Sequence, residues 1–211
     1  MQEAPPAVWS ASQGGCEGSH RMRSEIILIG PLWAGKSTLA ELLCHRLGLR
    51  RASMDDTSWG YYEEVGFNRA LANELERRGE HLALSHYVRP FLAHAVERHL
   101  ADHPDCVIDF GATHSIYDDP DELERVKRAL APYPNVILLL PSPDLQRSAA
   151  ILRERAADDV WLAKIREEHG FDLNEQYLRH PANRELARHI VYTEGKTPEE
   201  TCEEILRLVG Q

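Results

Sequence analysis

The chain has 211 residues, 43% of them hydrophobic and 27% charged, the composition of one globular α/β domain with room for a small insertion and a self-sufficient core. Its formal net charge of −10 disfavours non-specific binding to nucleic acid or to an anionic membrane, so a phosphate-binding site must gather its positive charge locally. Cys16, Cys44, Cys106 and Cys202 lie far apart with no zinc spacing, no run of about 18 apolar residues marks a membrane span, and no signal-peptide pattern opens the chain; a reducing cytoplasm is the expected setting.

Residues 1–23 are rich in Pro, Gly and Ser without periodicity and read as a disordered tail ahead of a domain over 24–211. The apolar run from Glu25 to Ile29 reads as a buried strand. Directly after it, Gly30-Pro31-Leu32-Trp33-Ala34-Gly35-Lys36-Ser37 matches G-x-x-x-x-G-K-[ST], and Thr38 follows. A helix is expected from Lys36 to Leu47, with Leu39, Leu42, Leu43 and Leu47 at helical spacing and Gly48 as its stop. A glycine-rich turn between strand and helix aims backbone N–H groups and a helix N-terminus at an anion. Lys36 can then reach the β- and γ-phosphates of a nucleotide, and the Ser37 hydroxyl can bind Mg²⁺. A chance match and a nucleotide sensor without chemistry are the alternatives.

Residues 62–79 and 86–101 read as two helices, the second with Phe91, Ala95, Val96 and Leu100 on one face. Cys106 to Phe110 is the next strand, and Asp109 closes it at the edge where parallel sheets carry ligand sites. Asp109 is a candidate to hold a Mg²⁺-bound water; a buried carboxylate paired with a hydroxyl or backbone N–H is the alternative. His114, beyond Gly111-Ala112-Thr113, is placed above the same edge, as a substrate contact or as a surface-loop histidine.

Asp119-Pro120-Asp121-Glu122 opens a helix with an N-cap, a proline at the first position and a capping glutamate. Asn135 to Leu140 is a strand, and Ser142-Pro143 starts a helix running towards Arg155. Residues 156–185, polar and without a strand pattern, read as a helical insertion or lid. His189 to Thr193 is the last strand, and Thr197-Pro198-Glu199-Glu200 caps a final helix ending near Gly210, whose glutamates form its solvated face. Strands alternating with helices imply a parallel sheet with right-handed crossovers and strands apolar on both faces.

The segment IGPLWAGKSTLAELLCHRLGL resembles the opening of shikimate kinases, whose loop reads GPxGxGKST, and the resemblance runs from about Ser24 to Gly210. It implies a P-loop NTPase fold, three layers α/β/α around a five-stranded parallel sheet, with a lid that closes over ATP and Mg²⁺ during phosphorylation of a hydroxyl. The family ends its second strand in D-x-D, where this chain has Ser53-Met54-Asp55. Asp55 thereby takes the place of the aspartate that contacts the reacting hydroxyl, and Asp56 and Asp109 are candidates to complete the metal shell. A helix N-cap is the alternative for Asp55 and Asp56.

The resemblance further places Arg89 and Arg184 where the family holds a substrate carboxylate, surface ion pairs being the alternative. The family's GGG becomes Phe110-Gly111-Ala112, which puts Gly111 and Ala112 against the substrate, and no glutamate stands around Ala93-His94 to partner Arg89. Arg153 and Arg155 fall in the region of the lid arginine and Arg147 near the adenine-contacting one, while Trp33 replaces a glycine of the phosphate loop.

The expectation is an ATP- or GTP-dependent kinase for an anionic or polyhydroxylated small molecule, acting as a monomer or homodimer. Its rivals are a phosphotransferase for antibiotics or nucleosides and a nucleotide-gated regulatory protein without an acceptor.

Overall fold

Strands and helices alternate along the residues that the computed structural model describes, 25–211; the tail expected over 1–23 lies outside them. In chain order they are β1 (Ile26–Ile29), α1 (Lys36–Leu47), β2 (Arg50–Ser53), α2 (Met54–Glu63), α3 (Arg69–Arg78), α4 (His81–Val88), α5 (Leu92–Asp102), β3 (Cys106–Asp109) and α6 (Pro120–Leu130). There follow β4 (Asn135–Leu140), α7 (Leu145–Arg155), α8 (Val160–His169), α9 (Leu173–Arg179), α10 (Pro181–Leu186), β5 (His189–Tyr192) and α11 (Pro198–Leu208).

The strands form one parallel sheet in the order β2-β3-β1-β4-β5. Every residue of β1, β3 and β4 is buried, because helices cover both faces of a parallel sheet. This is the three-layer α/β/α architecture expected. The edge strands depart from the expected all-apolar pattern: β2 reads Arg-Arg-Ala-Ser and buries only Ala52 fully, and β5 buries only Val191. An edge strand has a neighbour on one side only, so part of its surface faces solvent.

Two helical readings need correction. The expected helix over 62–79 is divided between α2 and α3, because Gly66 adopts φ 97° and Asn68 caps a new helix by accepting from the Leu71 N–H at 3.1 Å. The expected helix over 86–101 begins earlier, at His81, and passes through a 3₁₀ turn at Arg89–Phe91, where Pro90 offers no N–H to the ladder.

Residues 156–185 contain α8, α9 and most of α10. Asp159 and Asp172 cap α8 and α9 through their side chains. Leu162, Ile165, Leu173 and Tyr177 of this segment pack with Ala112 and Ile116 from the stretch after β3 into a small second core. That packing anchors the insertion beside the C-terminal edge of the sheet. Cys106 and Cys202 are buried free thiols and Cys44 a partly buried one, and no helix among the described residues is long and apolar enough to cross a membrane.

Candidate functional site

β1 lies between β3 and β4, so the connections of the sheet diverge at its C-terminal end, where open α/β sheets leave a crevice. The loop leaving β1 must be tight there. Gly30 has φ 137°, and a Cβ on it would sit 2.6 Å from the Leu139 carbonyl oxygen of β4, so no larger residue fits. Gly35 has φ 97° and begins α1 without any side-chain cap, which leaves the first amides of the helix available to an anion. Lys36, 8% exposed, folds back to donate from Nζ to the carbonyls of Gly30 (3.0 Å) and Pro31 (2.9 Å). Burial lowers its pKa, opposed by the negative charges of Asp109 and Asp55.

Above the loop opens a cleft of about 750 Å³. Trp33, Ala34, Gly35, Lys36, Ser37 and Thr38 form its floor, Asp55, Asp109 and Ala112 one wall, and Arg155 with Asp159 another. The parallel register sets Ser53 beside Asp109 and Leu28 beside Asp109, which carries the two acidic positions to one edge. Asp109 accepts from Arg51 Nη2 at 2.7 Å, so its charge is already balanced, by an arginine rather than by the hydroxyl or backbone N–H weighed from sequence. Asp55, in the first turn of α2, makes no hydrogen bond or ion pair among the described residues. The cleft leaves it accessible, yet the surrounding protein strips enough water to raise its pKa, with Lys36 opposing.

Gly111 underlies Asp55. Its φ of −58° is ordinary; what demands glycine is proximity, since a Cβ there would collide with Asp55 Oδ1 and lie 2.8 Å from His114 Nδ1. His114 is 2% exposed, which makes it a buried histidine and not one on a surface loop. Its Nε2 lies 2.7 Å from the Tyr62 hydroxyl, and burial lowers its pKa to about 3, so the ring is neutral.

The insertion grips the outer part of the phosphate loop. Trp33, a non-glycine residue at φ 62°, donates its indole N–H to Asp159 Oδ2 at 2.9 Å. Asn174 Nδ2 donates to the Leu32 carbonyl at 3.0 Å, and Arg155 donates to the Trp33 carbonyl at 3.3 Å and to Thr193 Oγ1 at 3.4 Å. Thr193, Lys196, Pro198 and Thr201 close the far end of the cleft.

Other arginines singled out from the sequence face elsewhere. Arg153 pairs with Asp172 (3.2 Å) and Glu175 (3.3 Å) inside the insertion, and Arg147 pairs with Glu194 at 2.6 Å on the surface. Arg89 pairs with Asp118 at 2.5 Å, which supplies the acidic partner missing around Ala93-His94. Arg184 is exposed on α10. The sequence reading did not single out Arg51, Tyr62, Asp159 or Lys196. Asp159 carried a usable signal, an aspartate directly before a helical apolar run; Arg51 carried none, because β2 has no apolar pattern.

The overall fold recurs in solved structures. The shikimate kinase of Acinetobacter baumannii in complex with shikimate superposes with a TM-score of 0.56 over 88% of this chain and 92% of its own, at 19% identity. The chain has the fold of the shikimate kinases. The shikimate kinase of Aquifex aeolicus shares that fold at a TM-score of 0.50, with 19% identity over 88% of this chain and 96% of its own. No protein-family model and no curated protein matches the chain in sequence, so the relationship to the shikimate-kinase fold rests on backbone geometry. On that fold this chain places Lys36, Asp55 and Arg155 around one cleft.

Proposed function

We propose that the protein is a kinase that transfers the γ-phosphoryl group of ATP or GTP to a hydroxyl of a small molecule. The observation that carries this reading is the convergence of Lys36, Asp55 and Arg155 on one cleft at the mouth of the phosphate loop. A binding loop alone needs no acid facing the phosphates. A transfer enzyme does, because the acceptor must be aligned with the phosphorus it attacks.

In this reading the amides of the loop and of α1's first turn hold the β- and γ-phosphates. Lys36 exchanges the Gly30 and Pro31 carbonyls for phosphate oxygens, and Arg155 turns from Trp33 and Thr193 towards the γ-phosphoryl group. Both cations offset charge that spreads over that group as it transfers. Asp55 accepts the proton of the acceptor hydroxyl, whose oxygen forms the new bond to the γ-phosphorus. The bond from that phosphorus to the β,γ-bridging oxygen breaks, and the nucleoside diphosphate leaves with its electron pair. Gly111 and Ala112 give the acceptor room beside Asp55, and the insertion excludes water as a competing acceptor.

The oxygen donors of Ser37 and Asp109 fit a hard cation such as Mg²⁺. In this reading the ion would be kept mainly by phosphate oxygens and water. Such an ion supplies charge neutralisation on the phosphates. An anionic acceptor would draw on Arg89, which must then release Asp118.

Measuring nucleoside diphosphate release against a panel of shikimate, sugars, sugar acids, nucleosides and sugar-bearing antibiotics tests the proposal. One class of acceptor should stimulate release, and Lys36→Met should abolish it. Slow hydrolysis that no acceptor stimulates, or stimulation that survives Lys36→Met, refutes it.

A further inference from the structure

Helix α2 carries Asp55, Ser58 and Tyr62 at i, i+3 and i+7, which places them along one helical face. The 3₁₀ turn Ala112–Ser115 brings His114 alongside that face. The ring stacks near-parallel to Tyr62, with centroids 6.1 Å apart and planes at 22°. Its two nitrogens meet different surroundings. Nε2 is engaged by the Tyr62 hydroxyl at 2.7 Å. Nδ1 is buried without a hydrogen-bond partner and borders the space over Gly111 that Asp55 Oδ1 also borders. Buried polar atoms in native proteins nearly always have a partner, so an orphan that shares a gap with a carboxylate calls for an explanation.

We propose that His114, presented as its Nδ1–H tautomer by the Tyr62 hydroxyl, positions the Asp55 carboxylate for the acceptor. This rests on the kinase reading, in which Asp55 aligns the acceptor hydroxyl. The tautomer follows from the neutral phenol on one side of the ring and the carboxylate on the other. Burial raises the Tyr62 pKa, so the phenol is neutral and has a proton to give. The phenol therefore keeps its own proton and directs it to Nε2, which leaves the imidazole proton on Nδ1. A bare lone pair on Nδ1 would repel the nearby carboxylate, whereas an N–H can donate to it. Burial keeps the imidazole neutral. Gly111 completes the arrangement, because any side chain would fill the gap that the N–H and the carboxylate share.

The test is ring ¹⁵N NMR of the full-length chain, with the His114 signals assigned by their loss in His114→Gln. The wild type should show one neutral Nδ1–H tautomer, and Asp55→Asn should move the Nδ1–H resonance. Asp55 is exposed, so that variant leaves the core untouched. Tyr62→Phe should populate the Nε2–H tautomer. With any acceptor that the panel reveals, His114→Asn should lower kcat by up to about 10²-fold while the KM for ATP holds. A wild-type Nε2–H tautomer, or an Nδ1–H resonance indifferent to Asp55→Asn, overturns the proposal. Titration of MgATP in the same samples reads the phosphate loop separately, so loss of nucleotide binding counts against the kinase reading and leaves the tautomer result standing on its own.

Discussion

The indole N–H of Trp33 donates to Asp159 at 2.9 Å, and so ties the phosphate loop to the first helix of the insertion. The same carboxylate caps α8 through its other oxygen, accepting from the Leu162 N–H at 3.0 Å. Asp159 therefore serves two segments at once. Asp159→Asn keeps one acceptor oxygen, enough for the cap on α8, and puts an NH2 group where the other oxygen accepted from Trp33, so the helix should hold while the Trp33 contact is lost. Asp159→Ala loses the cap, about 1 kcal/mol of helix stability, and also the Trp33 contact between loop and insertion. Amide exchange over α8 should accelerate in Asp159→Ala and not in Asp159→Asn; equal exchange in the two variants contradicts this.

Gly111→Ala tests the close approach beneath Asp55. The added methyl has no room unless the carboxylate swings away, and misplacement of about 1 Å at a reacting group costs on the order of 10²-fold in rate. Turnover should fall by about that factor while ATP affinity, set by the loop, stays within about twofold. Unchanged turnover would show that Asp55 does not hold the acceptor in this position.

The pair of Arg51 and Asp109 makes a prediction about stability. Asp109 is buried at the end of β3, whereas Arg51 on the edge strand is partly exposed. Removing the arginine leaves a buried carboxylate with no hydrogen-bonded cation, which costs several kcal/mol when fully enclosed and less here, because solvent reaches one partner and Lys36 lies near. Arg51→Met should destabilise the fold by about 1–3 kcal/mol, measured by denaturant unfolding, and Asp109→Asn in the same background should recover part of the loss.

Two buried histidines make stability depend on pH. Burial lowers the pKa of His99 to about 4 and that of His114 to about 3, from an ordinary 6.5. Their folded pKa values are depressed, so the unfolded chain binds protons first as pH falls below 6.5. The stability they contribute is complete above that value and is lost progressively towards about pH 4 and below. Two protons correspond to a slope of about 2.7 kcal/mol per pH unit in that window. Calorimetric unfolding between pH 7 and 4.5 should show it, and His99→Gln should remove about half. A variant with the same slope as the parent contradicts the assignment.

Legibility from sequence followed the physics of each segment. β1, β3 and β4 were readable because buried parallel strands leave uninterrupted apolar runs, and the phosphate loop because Gly30, Gly35, Lys36 and Ser37 each answer a backbone or charge requirement at fixed spacing. β2 was invisible to periodicity, since as an edge strand it carries Arg50 and Arg51 exposed. The resemblance placed the end of this strand at Ser53-Met54-Asp55, but nothing in the sequence set Arg51 against Asp109 on the neighbouring strand. The choice between Arg153 and Arg155 was equally closed, because two residues on one helix point in different directions and only the packing of the insertion decides which meets the cleft. Tyr62 and His114 are 52 positions apart, and no local pattern announces such a contact.

The most direct measurement of the central claim is calorimetric titration of the full-length protein with MgATP and MgGTP, run beside Lys36→Met. The account predicts one nucleotide bound per chain at the phosphate loop, with affinity falling sharply in the variant. Absence of binding heat with either nucleotide, or binding that is the same without Lys36, would contradict it.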